Sequence, residues 1–275
     1  MAVVASRRIA LLQGGNRYWA LAQSRGSAGP VQEALEFCRT HWQPGDQLVF
    51  LGSQIGLAGQ SMQTMALIAS LARELDGEGL GDDLSAPNRQ VLWLRGIQEE
   101  LFLRLPTLHQ AKDPVAVLDW MVAEQGFDQL LRQLGGEITA VRRAAAAGAA
   151  ALAQETNRIR TAVEAHEDVA FYLAGCRRAA VTAEEQLLFV HGGVDPARSL
   201  SLQTDAFWWG HPDYFRMRSP YQGFSQVVST LLPPGQTRLE GPGRLAFDGG
   251  CGLGGRLNLL CFDRFGQELF AHNFG

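Results

Sequence analysis

A serine and a histidine in this sequence are of the types that form a nucleophile and its general base. Ser53 follows an apolar segment at residues 47–51, and His191 follows another at residues 186–190. A serine hydroxyl can attack an ester when a neighbouring imidazole removes its proton. However, the run G-S-Q-I-G at residues 52–56 departs from the G-x-S-x-G pattern of serine hydrolases, and no acidic residue of these loops is placed to orient His191. We therefore favour a structural role, in which His191 bonds to a backbone carbonyl.

Asn16, Arg95 and His191 are polar residues that could bind a small anion. A guanidinium binds carboxylate and phosphate groups through paired N–H donors. For Arg95 we favour instead an ion pair with Glu99 or Asp195. The glycine-rich run at residues 249–255 has neither the G-x-G-x-x-G order nor the G-K-[ST] ending of nucleotide-binding loops, so it does not predict a nucleotide site.

Residues with metal-binding side chains are scattered along the chain. The four cysteines are Cys38, Cys176, Cys251 and Cys261. They show no C-x-x-C spacing, which excludes a zinc knuckle and a thioredoxin-type motif. We expect them to be buried thiols in a reducing cytoplasm. No metal and no cofactor is predicted from this pattern.

The elements that must position these residues are short apolar segments that end in glycine-containing turns. Such segments are residues 8–12, 47–51, 90–94 and 186–190. Each predicts a strand of about five residues, and residues 62–75 predict a helix. This alternation is typical of an α/β fold, in which functional groups lie beyond the carboxyl ends of the strands. A last pair, residues 244–247 and 257–262, predicts a hairpin around the glycine-rich run.

Residues 116–180 predict a helical segment. It has no proline, and its alanine-rich part at residues 144–152 has high helix propensity. Such a helix could cover a sheet or bind a partner, and we favour the interpretation that it covers a sheet. Because no internal repeat and no proline- or serine-rich linker divides the chain, we expect one domain over residues 1–275.

The composition indicates a compact and mildly acidic protein. Hydrophobic residues are 46% and charged residues 19% of the 275, and the net charge is −4. These values argue against intrinsic disorder and against a broad basic surface for nucleic acid. The apolar run at residues 9–12 is too short for a secretory signal, and no window is apolar for long enough to span a membrane. We expect a cytoplasmic protein.

The order of the strand-loop units resembles the calcineurin-like metallophosphoesterases, specifically the serine/threonine-phosphatase-like and bis(5′-nucleosyl)-tetraphosphatase-like branch. That branch carries, in order, the motifs G-D-x-H-G, G-D-x-V-D-R-G, R-G-N-H-E, V-H-A/G-G, G-H-T and D-T-G-C-x-x-G-G-x-L. We place them at residues 11–15, 52–58, 95–99, 190–193, 228–233 and 248–257, with a helix following the first motif as far as Leu21. The fourth is kept almost whole, as V-H-G-G, and the last retains its pattern with glycine for threonine.

By this resemblance, the six metal-ligand positions fall on Leu12, Gly14, Ser53, Ile97, His191 and either Leu231 or a neighbour of Leu231. Only His191 keeps a ligand side chain. Leu57 stands in place of the phosphate-gripping arginine and Gln98 in place of the histidine that acts as general acid. A two-metal phosphoesterase needs carboxylates and imidazoles to hold its cations. The resemblance therefore implies that metal binding and hydrolysis are lost and that apolar side chains fill the site.

The resemblance also implies the architecture, a calcineurin-like αββα sandwich of two mixed sheets flanked by helices, with the helical insert over the cleft. We expect a pseudophosphatase, a degenerate relative of bacterial serine/threonine-type phosphatases that acts through protein interaction or regulation. Two alternatives stay open. One is an active phosphoesterase with a non-standard site; the other is a protein that binds a nucleotide or other small anion through Asn16, Arg95 and His191 without hydrolysing it.

A partner protein could dock on Trp208 and Trp209, the densest aromatic spot of the chain, or on the alanine-rich helix. Two adjacent tryptophans are more often half-buried packing residues, which is the interpretation we favour for them. No nucleic acid partner is expected.

Overall fold

The computed structural model describes residues 9–76 and 89–275 of the chain. Its strands, numbered in chain order, are β1 (Ile9–Leu12), β2 (Arg17–Leu21), β3 (Asp46–Phe50), β4 (Val91–Trp93), β5 (Ala179–Thr182), β6 (Leu187–Phe189), β7 (Gln226–Ser229), β8 (Arg238–Gly241), β9 (Arg244–Phe247), β10 (Leu257–Asp263) and β11 (Glu268–Phe274). Its α-helices are α1 (Ala28–His41), α2 (Ser61–Asp76), α3 (Ile97–Arg104), α4 (Pro114–Gln125), α5 (Phe127–Gln133), α6 (Ile138–Ala147), α7 (Ala149–Glu164), α8 (Glu167–Gly175) and α9 (Ala206–Trp209).

The strands of the described residues form two mixed sheets. The six-stranded sheet has the order β1-β5-β6-β7-β9-β8, and the five-stranded sheet has the order β11-β10-β2-β3-β4. Within the five-stranded sheet β2, β3 and β4 run parallel, and within the six-stranded sheet β6, β7 and β9 run parallel. The predicted α/β class with two mixed sheets flanked by helices is confirmed.

Apolar side chains from both sheets fill the space between them. Tyr18 and Val49 of the five-stranded sheet pack with Phe189 and Val228 of the six-stranded sheet, and all four are fully buried. The outer face of the five-stranded sheet is covered by α1 and α2, whereas residues 194–224 cover the outer face of the other sheet. Because β3 has cover on both faces, every residue of its sequence DQLVF is buried, as is usual for a central parallel strand.

Residues 17–21 form the strand β2, so the helix predicted there is wrong. Tyr18 and Ala20 face the space between the sheets, while Trp19 and Leu21 face the outer core under α1. This alternation is the two-residue period of a strand. The aromatic residues favour a strand, and pairing with β3 on one side and β10 on the other stabilises it.

The predicted hairpin of β9 and β10 is also wrong. β9 pairs with β7 and β8 in the six-stranded sheet, whereas β10 pairs with β2 and β11 in the five-stranded sheet. The glycine-rich run therefore carries the chain from one sheet to the other. Both strands are apolar, and local sequence does not determine which sheet each one joins.

The helical segment is confirmed from α4 to α8. Its alanine-rich part is divided in two, because Gly148 adopts a φ of +114° between α6 and α7, outside the helical region. The segment ends before residue 180, since Ala179 begins β5. In the described part of the chain, no helix is long and apolar enough to cross a bilayer.

Candidate functional site

Loops from both sheets meet beyond the carboxyl ends of the parallel strands. Residues 22–26 follow β2, and Ser53 follows β3. His191, Thr230 and Asp248 follow β6, β7 and β9 of the other sheet. We call Gln23, Arg25, Ser53, His191, Thr230 and Asp248 the inter-sheet cluster. Its members are joined by hydrogen bonds and one ion pair across the two sheets.

Leu12, Gly14 and Asn16 lie at the opposite edge, so the placement of the first motif at residues 11–15 is wrong. Gly14 and Asn16 precede β2, and Asn16 bonds through its side chain to the carbonyl of Pro44, just before β3. Leu12 ends β1 beside Thr182 of β5, at the end of the sheet away from His191. The carboxyl end of β2, not that of β1, contributes a loop to the cluster. Two features of the sequence could have indicated that this loop follows a strand: the aromatic residues of β2, which favour a strand, and Gly26, which precedes a helix.

Arg25 and Asp248 form an ion pair between the loops of the two sheets. Arg25 Nη2 lies 2.5 Å from Asp248 Oδ2, and Nη1 donates to the carbonyl of Cys251 at 2.8 Å. The side chains are 14% and 11% exposed. Gln23 Nε2 donates to the same carboxylate at 2.8 Å and to the carbonyl of Thr230 at 3.2 Å. Of these side chains, only that of Asp248 belongs to a motif of the resemblance, and no role was predicted for it.

His191 and Ser53 form a second contact between the sheets. His191 Nδ1 donates to the carbonyl of Leu51 at 2.8 Å, so that Nε2, 3.4 Å from Ser53 Oγ, is the acceptor of the serine hydroxyl. We predicted a structural role in which His191 bonds to a backbone carbonyl, and the carbonyl of Leu51 is that partner. Burial lowers the pKa of His191 to about 4, and the positive charge of Arg25 adds to the effect. The imidazole is therefore neutral at neutral pH.

Glu99 is a buried carboxylate whose role the sequence did not indicate. It accepts hydrogen bonds from the backbone N–H groups of Ser53, Gln54 and Gly96 at 2.8–2.9 Å. Burial raises its pKa, while the donated hydrogen bonds oppose that rise. Glu99 therefore shapes the loop that carries Ser53. It does not pair with Arg95, which bonds at 2.9 Å to Glu100 instead.

The remaining predicted positions lie around the cluster but contribute no charge to it. Ile97 is partly buried against the core outside the five-stranded sheet. Gln98 Nε2 donates to the carbonyl of Gln125, and Leu57 packs against Gly126, so the junction of α4 and α5 borders this end of the sheet. Leu231 is partly exposed next to Gly210.

The side chain of Thr230, rather than that of Leu231, belongs to the cluster. Thr230 is fully buried, and its Oγ1 accepts the backbone N–H of Gln23 at 3.3 Å. The backbone N–H groups of both Thr230 and Leu231 donate to the carbonyl of His191. Thr230, a neighbour of Leu231, is therefore the residue of this motif whose side chain faces the other sheet.

The predicted anion site does not assemble. Asn16 is at the opposite edge of the sheet, His191 is fully buried, and Arg95 is paired with Glu100. The three side chains therefore present no common surface to an anion.

Trp208 is buried as well, with the guanidinium of Arg95 5.9 Å from its ring centre.

Trp209 is the more accessible tryptophan of the pair. It is partly buried and packs against Trp120 of α4 with 5.6 Å between ring centres. Trp120 is 41% exposed. Trp208 is therefore a packing residue, as we favoured for the pair, whereas Trp209 and Trp120 form an aromatic surface beside the helical segment.

The side chains of the cluster do not fit a pair of divalent cations. Within residues 9–76 and 89–275, no three histidine, cysteine, aspartate or glutamate side chains form a group that could hold a metal ion. The cluster has one carboxylate, Asp248, which already binds a guanidinium, and one imidazole, whose two nitrogens bond to Leu51 and Ser53. Divalent cations need several anionic or imidazole donors, and the positive charge of Arg25 repels them.

Comparison with known proteins identifies the fold. The chain is similar to the crystal structure of a protein assigned as a candidate diadenosine tetraphosphatase, with a TM-score of 0.55 and 15% identity over 98% of each chain. It is also similar to a serine/threonine phosphatase from Saccharomyces cerevisiae with similarity to human phosphatase PP5 (TM-score 0.49, 13% identity, 98% of this chain and 83% of that one). A metallophosphoesterase from Sphaerobacter thermophilus gives 0.44 and 11%, over 94% and 88%.

No protein-family model and no curated protein sequence matches the chain. At 15% identity, the first of these three similarities shows the fold alone. That fold is the calcineurin-like metallophosphoesterase fold.

Proposed function

We propose that this protein is a pseudophosphatase: it has the fold of a metal-dependent phosphatase, does not catalyse hydrolysis, and acts through protein interaction or regulation. The observation that carries the proposal is the donor set of the inter-sheet cluster. Where metal ligands would be needed, the protein has a guanidinium, one carboxylate that is already paired with it, two hydroxyl side chains, an amide and a buried imidazole.

The loop at residues 22–26 takes the position of the G-D-x-H-G motif in this proposal. Its sequence is A-Q-S-R-G, so Gln23 replaces the aspartate and Arg25 replaces the histidine. A glutamine can offer one neutral oxygen, but an arginine has no lone pair to donate. This replacement is more adverse to metal binding than a small apolar residue would be, because it adds positive charge.

The groups that would assist hydrolysis are replaced in the same way. Gln98, in place of the general acid, has an amide that donates to the carbonyl of Gln125 and has no proton to transfer at neutral pH. Leu57, in place of the arginine, packs against Gly126. Neither position therefore offers a cationic side chain that could stabilise the negative charge of a phosphoryl group in the transition state.

The pair of Ser53 and His191 is the feature that most favours an alternative activity. Ser53 has a φ of +50° and its hydroxyl faces an unprotonated imidazole nitrogen, as in a serine hydrolase. However, Ser53 is 3% and His191 0% exposed, and the backbone N–H groups of Ser53 and Gln54 are already bonded to Glu99. A substrate carbonyl has neither access nor free oxyanion donors there, so we do not propose this activity.

Metal content and hydrolysis test the catalytic half of the proposal. Purified protein, with and without added manganese, is assayed for bound metal by mass spectrometry and for hydrolysis of p-nitrophenyl phosphate, alongside His191→Ala as the matched variant. We expect no stoichiometric metal and no turnover above that of His191→Ala. Stoichiometric metal, or manganese-dependent turnover that His191→Ala abolishes, overturns the proposal and favours an active phosphoesterase.

Capture from the native cytoplasm tests the interaction half. Trp120, which is 41% exposed, and Trp209, which is partly buried against it, form an aromatic surface next to the helical segment, and we propose this surface for the partner. The double variant Trp120→Ala/Trp209→Ala should lose a partner that the wild-type protein retains. Phe265→Ala is the control, because Phe265 is also aromatic, is 62% exposed and lies in the turn between β10 and β11. Equal capture by both variants excludes this surface.

A further inference from the structure

We infer that the guanidinium of Arg25 is a built-in cation that holds the two sheets together at the inter-sheet cluster, in the place where catalytic members of this fold need metal ions. The inference goes beyond the proposed lack of catalysis, because it assigns a positive role to one side chain and rests on contacts within this chain.

The geometry places Arg25 as a bridge. It belongs to the loop after β2 of the five-stranded sheet, and Asp248 to the loop after β9 of the six-stranded sheet. The two guanidinium nitrogens reach both carboxylate oxygens, at 2.5 and 3.4 Å, and Nη1 also bonds to the carbonyl of Cys251. One side chain therefore fixes both the carboxylate and the glycine-rich run that follows it.

The charge of the cluster requires this cation. Besides Arg25, the polar groups bonded to the carboxylate of Asp248 in the described residues are the amide of Gln23 and the backbone N–H of Gly250, which are neutral. His191 is fully buried and neutral. A carboxylate that is 11% exposed is strongly disfavoured without a positive partner, and Arg25 is the cation paired with it in this part of the structure.

The backbone of Arg25 supports the same conclusion. Arg25 has a φ of +51°, in the left-handed region that glycine adopts with less strain than other residues. A strained residue persists where the surrounding contacts over-determine its position. The backbone of Arg25 is held by hydrogen bonds to Ser53 and Ala58, which glycine would also make with less strain, so the contribution specific to arginine is that of its side chain.

The glycine-rich run is shaped to fit around this side chain. A Cβ atom on Gly252 would lie 2.8 Å from Cβ of Arg25, and Gly252 itself has a φ of +81°. The close approach and the positive φ explain why the run contains glycine at this position. Arg25, Asp248 and Gly252 thus form one unit that joins the sheets.

The importance of the positive charge of Arg25 and of its two-nitrogen contact with Asp248 is tested by comparing Arg25→Lys and Arg25→Gln with the same substitutions at Arg39. Two guanidinium nitrogens of Arg39 also bond to one carboxylate, that of Glu74, but those side chains are 40% and 47% exposed. We expect the melting temperature to fall by roughly 6–12 °C in Arg25→Gln, less in Arg25→Lys, and by no more than about 2 °C in either Arg39 variant. Equal melting of the two Arg25 variants, or equal losses at Arg25 and Arg39, overturns the inference.

Cation rescue is the second test. Arg25→Gly removes the side chain and relieves the backbone, leaving a space open to solvent at its rim. We expect about 20 mM guanidinium chloride, far below the molar concentrations that denature proteins, to raise its melting temperature by several degrees over equal sodium chloride. No such gain, or a wild-type protein that loses stability on addition of EDTA, contradicts a built-in cation. Should Arg25→Gly not fold, the comparison of Arg25→Lys with Arg25→Gln still decides.

The outcomes separate this inference from the proposed function. Manganese-dependent hydrolysis by the wild-type protein would overturn the pseudophosphatase proposal while leaving the melting results at Arg25 unchanged. Conversely, if the protein is inactive and its Arg25 variants melt like the wild type, the proposed function stands and the inference about the built-in cation is contradicted.

Discussion

Glu99 accepts a hydrogen bond from the hydroxyl of Tyr172 at 2.9 Å, with both side chains fully buried. The same carboxylate binds the backbone N–H groups of Ser53 and Gly96, in the loops that follow β3 and β4. Tyr172 belongs to α8 at the end of the helical segment. A single acid therefore connects two loops of the five-stranded sheet to the helices that cover it.

Glu99→Gln should destabilise the protein. An amide has one acceptor oxygen where a carboxylate has two, so at least one buried N–H group would lose its partner. We expect the free energy of unfolding to fall by about 2–3 kcal/mol, and by about 1 kcal/mol in Tyr172→Phe. Urea denaturation measures both. Glu164→Gln is the control, because Glu164 is an exposed acid paired with Arg160 and should change the value by less than about 0.5 kcal/mol. Equal losses at Glu99 and Glu164 would contradict the role of Glu99.

Stability should depend on pH through His191. Its folded-state pKa of about 4 lies below the unfolded value of 6.5, so the unfolded chain binds more protons between these pH values. The contribution of His191 is complete above pH 6.5 and is lost as the pH falls towards 4, a loss of about 3 kcal/mol.

The variant His191→Gln isolates this contribution. Between pH 6.5 and 4, the free energy of unfolding of this variant should fall less than that of the wild-type protein, because the variant has no imidazole to protonate at this position. The variant His166→Gln, at an exposed position, should follow the wild-type curve. Denaturant titrations at a series of pH values measure the difference. Parallel curves for wild type and His191→Gln would show that the buried imidazole does not titrate as stated.

Restoring the ligand set should produce a protein that needs metal. The substitutions are Gln23→Asp, Arg25→His, Ser53→Asp, Ile97→Asn and Thr230→His. They place unpaired carboxylates in a buried site, which lowers stability until a cation neutralises them. We expect a lower melting temperature without manganese and a recovery with it, worth about 2.7 kcal/mol at a hundred times the dissociation constant.

A second restored variant checks the position of the first motif. It carries Leu12→Asp and Gly14→His in place of the changes at Gln23 and Arg25. Because Leu12 and Gly14 lie at the opposite edge of the sheet, this variant should gain less from manganese than the first. If the wild-type protein gains as much as the restored variant, the proposed ligand positions are wrong.

Gly96→Ala should be among the most damaging single substitutions near the cluster. A Cβ atom there would overlap the backbone nitrogen of Ser53, which cannot move without breaking its bond to Glu99. We expect a loss of about 3 kcal/mol in the free energy of unfolding. Gly29→Ala, in the first turn of α1 with no group other than its chain neighbours within 4 Å of the new atom, should change the free energy of unfolding by less than about 1 kcal/mol, because the only crowding is with the ring of Pro30. Chemical denaturation of both variants tests the contrast, and a tolerated Gly96→Ala would refute the close approach.

The sequence by itself determined the fold class and most of the elements. The apolar runs that became β3, β4, β6 and β9 were each recognised to within one or two residues, as was α2. These predictions succeed because a buried strand of an α/β fold needs a short apolar run and a turn at its end, both of which are local properties. The motif resemblance added the loops that contain Ser53 and His191.

Only the tertiary structure decided which apolar segment supplies the first loop of the cluster and which sheet each late strand joins. β1 and β2 are both short and apolar, and the difference between them is that β2 pairs with β3 and β10. Arg25 and Asp248, 223 residues apart, look like ordinary surface charges in the sequence. They become a largely buried pair because parallel strands in two stacked sheets bring the loops at their carboxyl ends together. That arrangement depends on the packing of the whole chain.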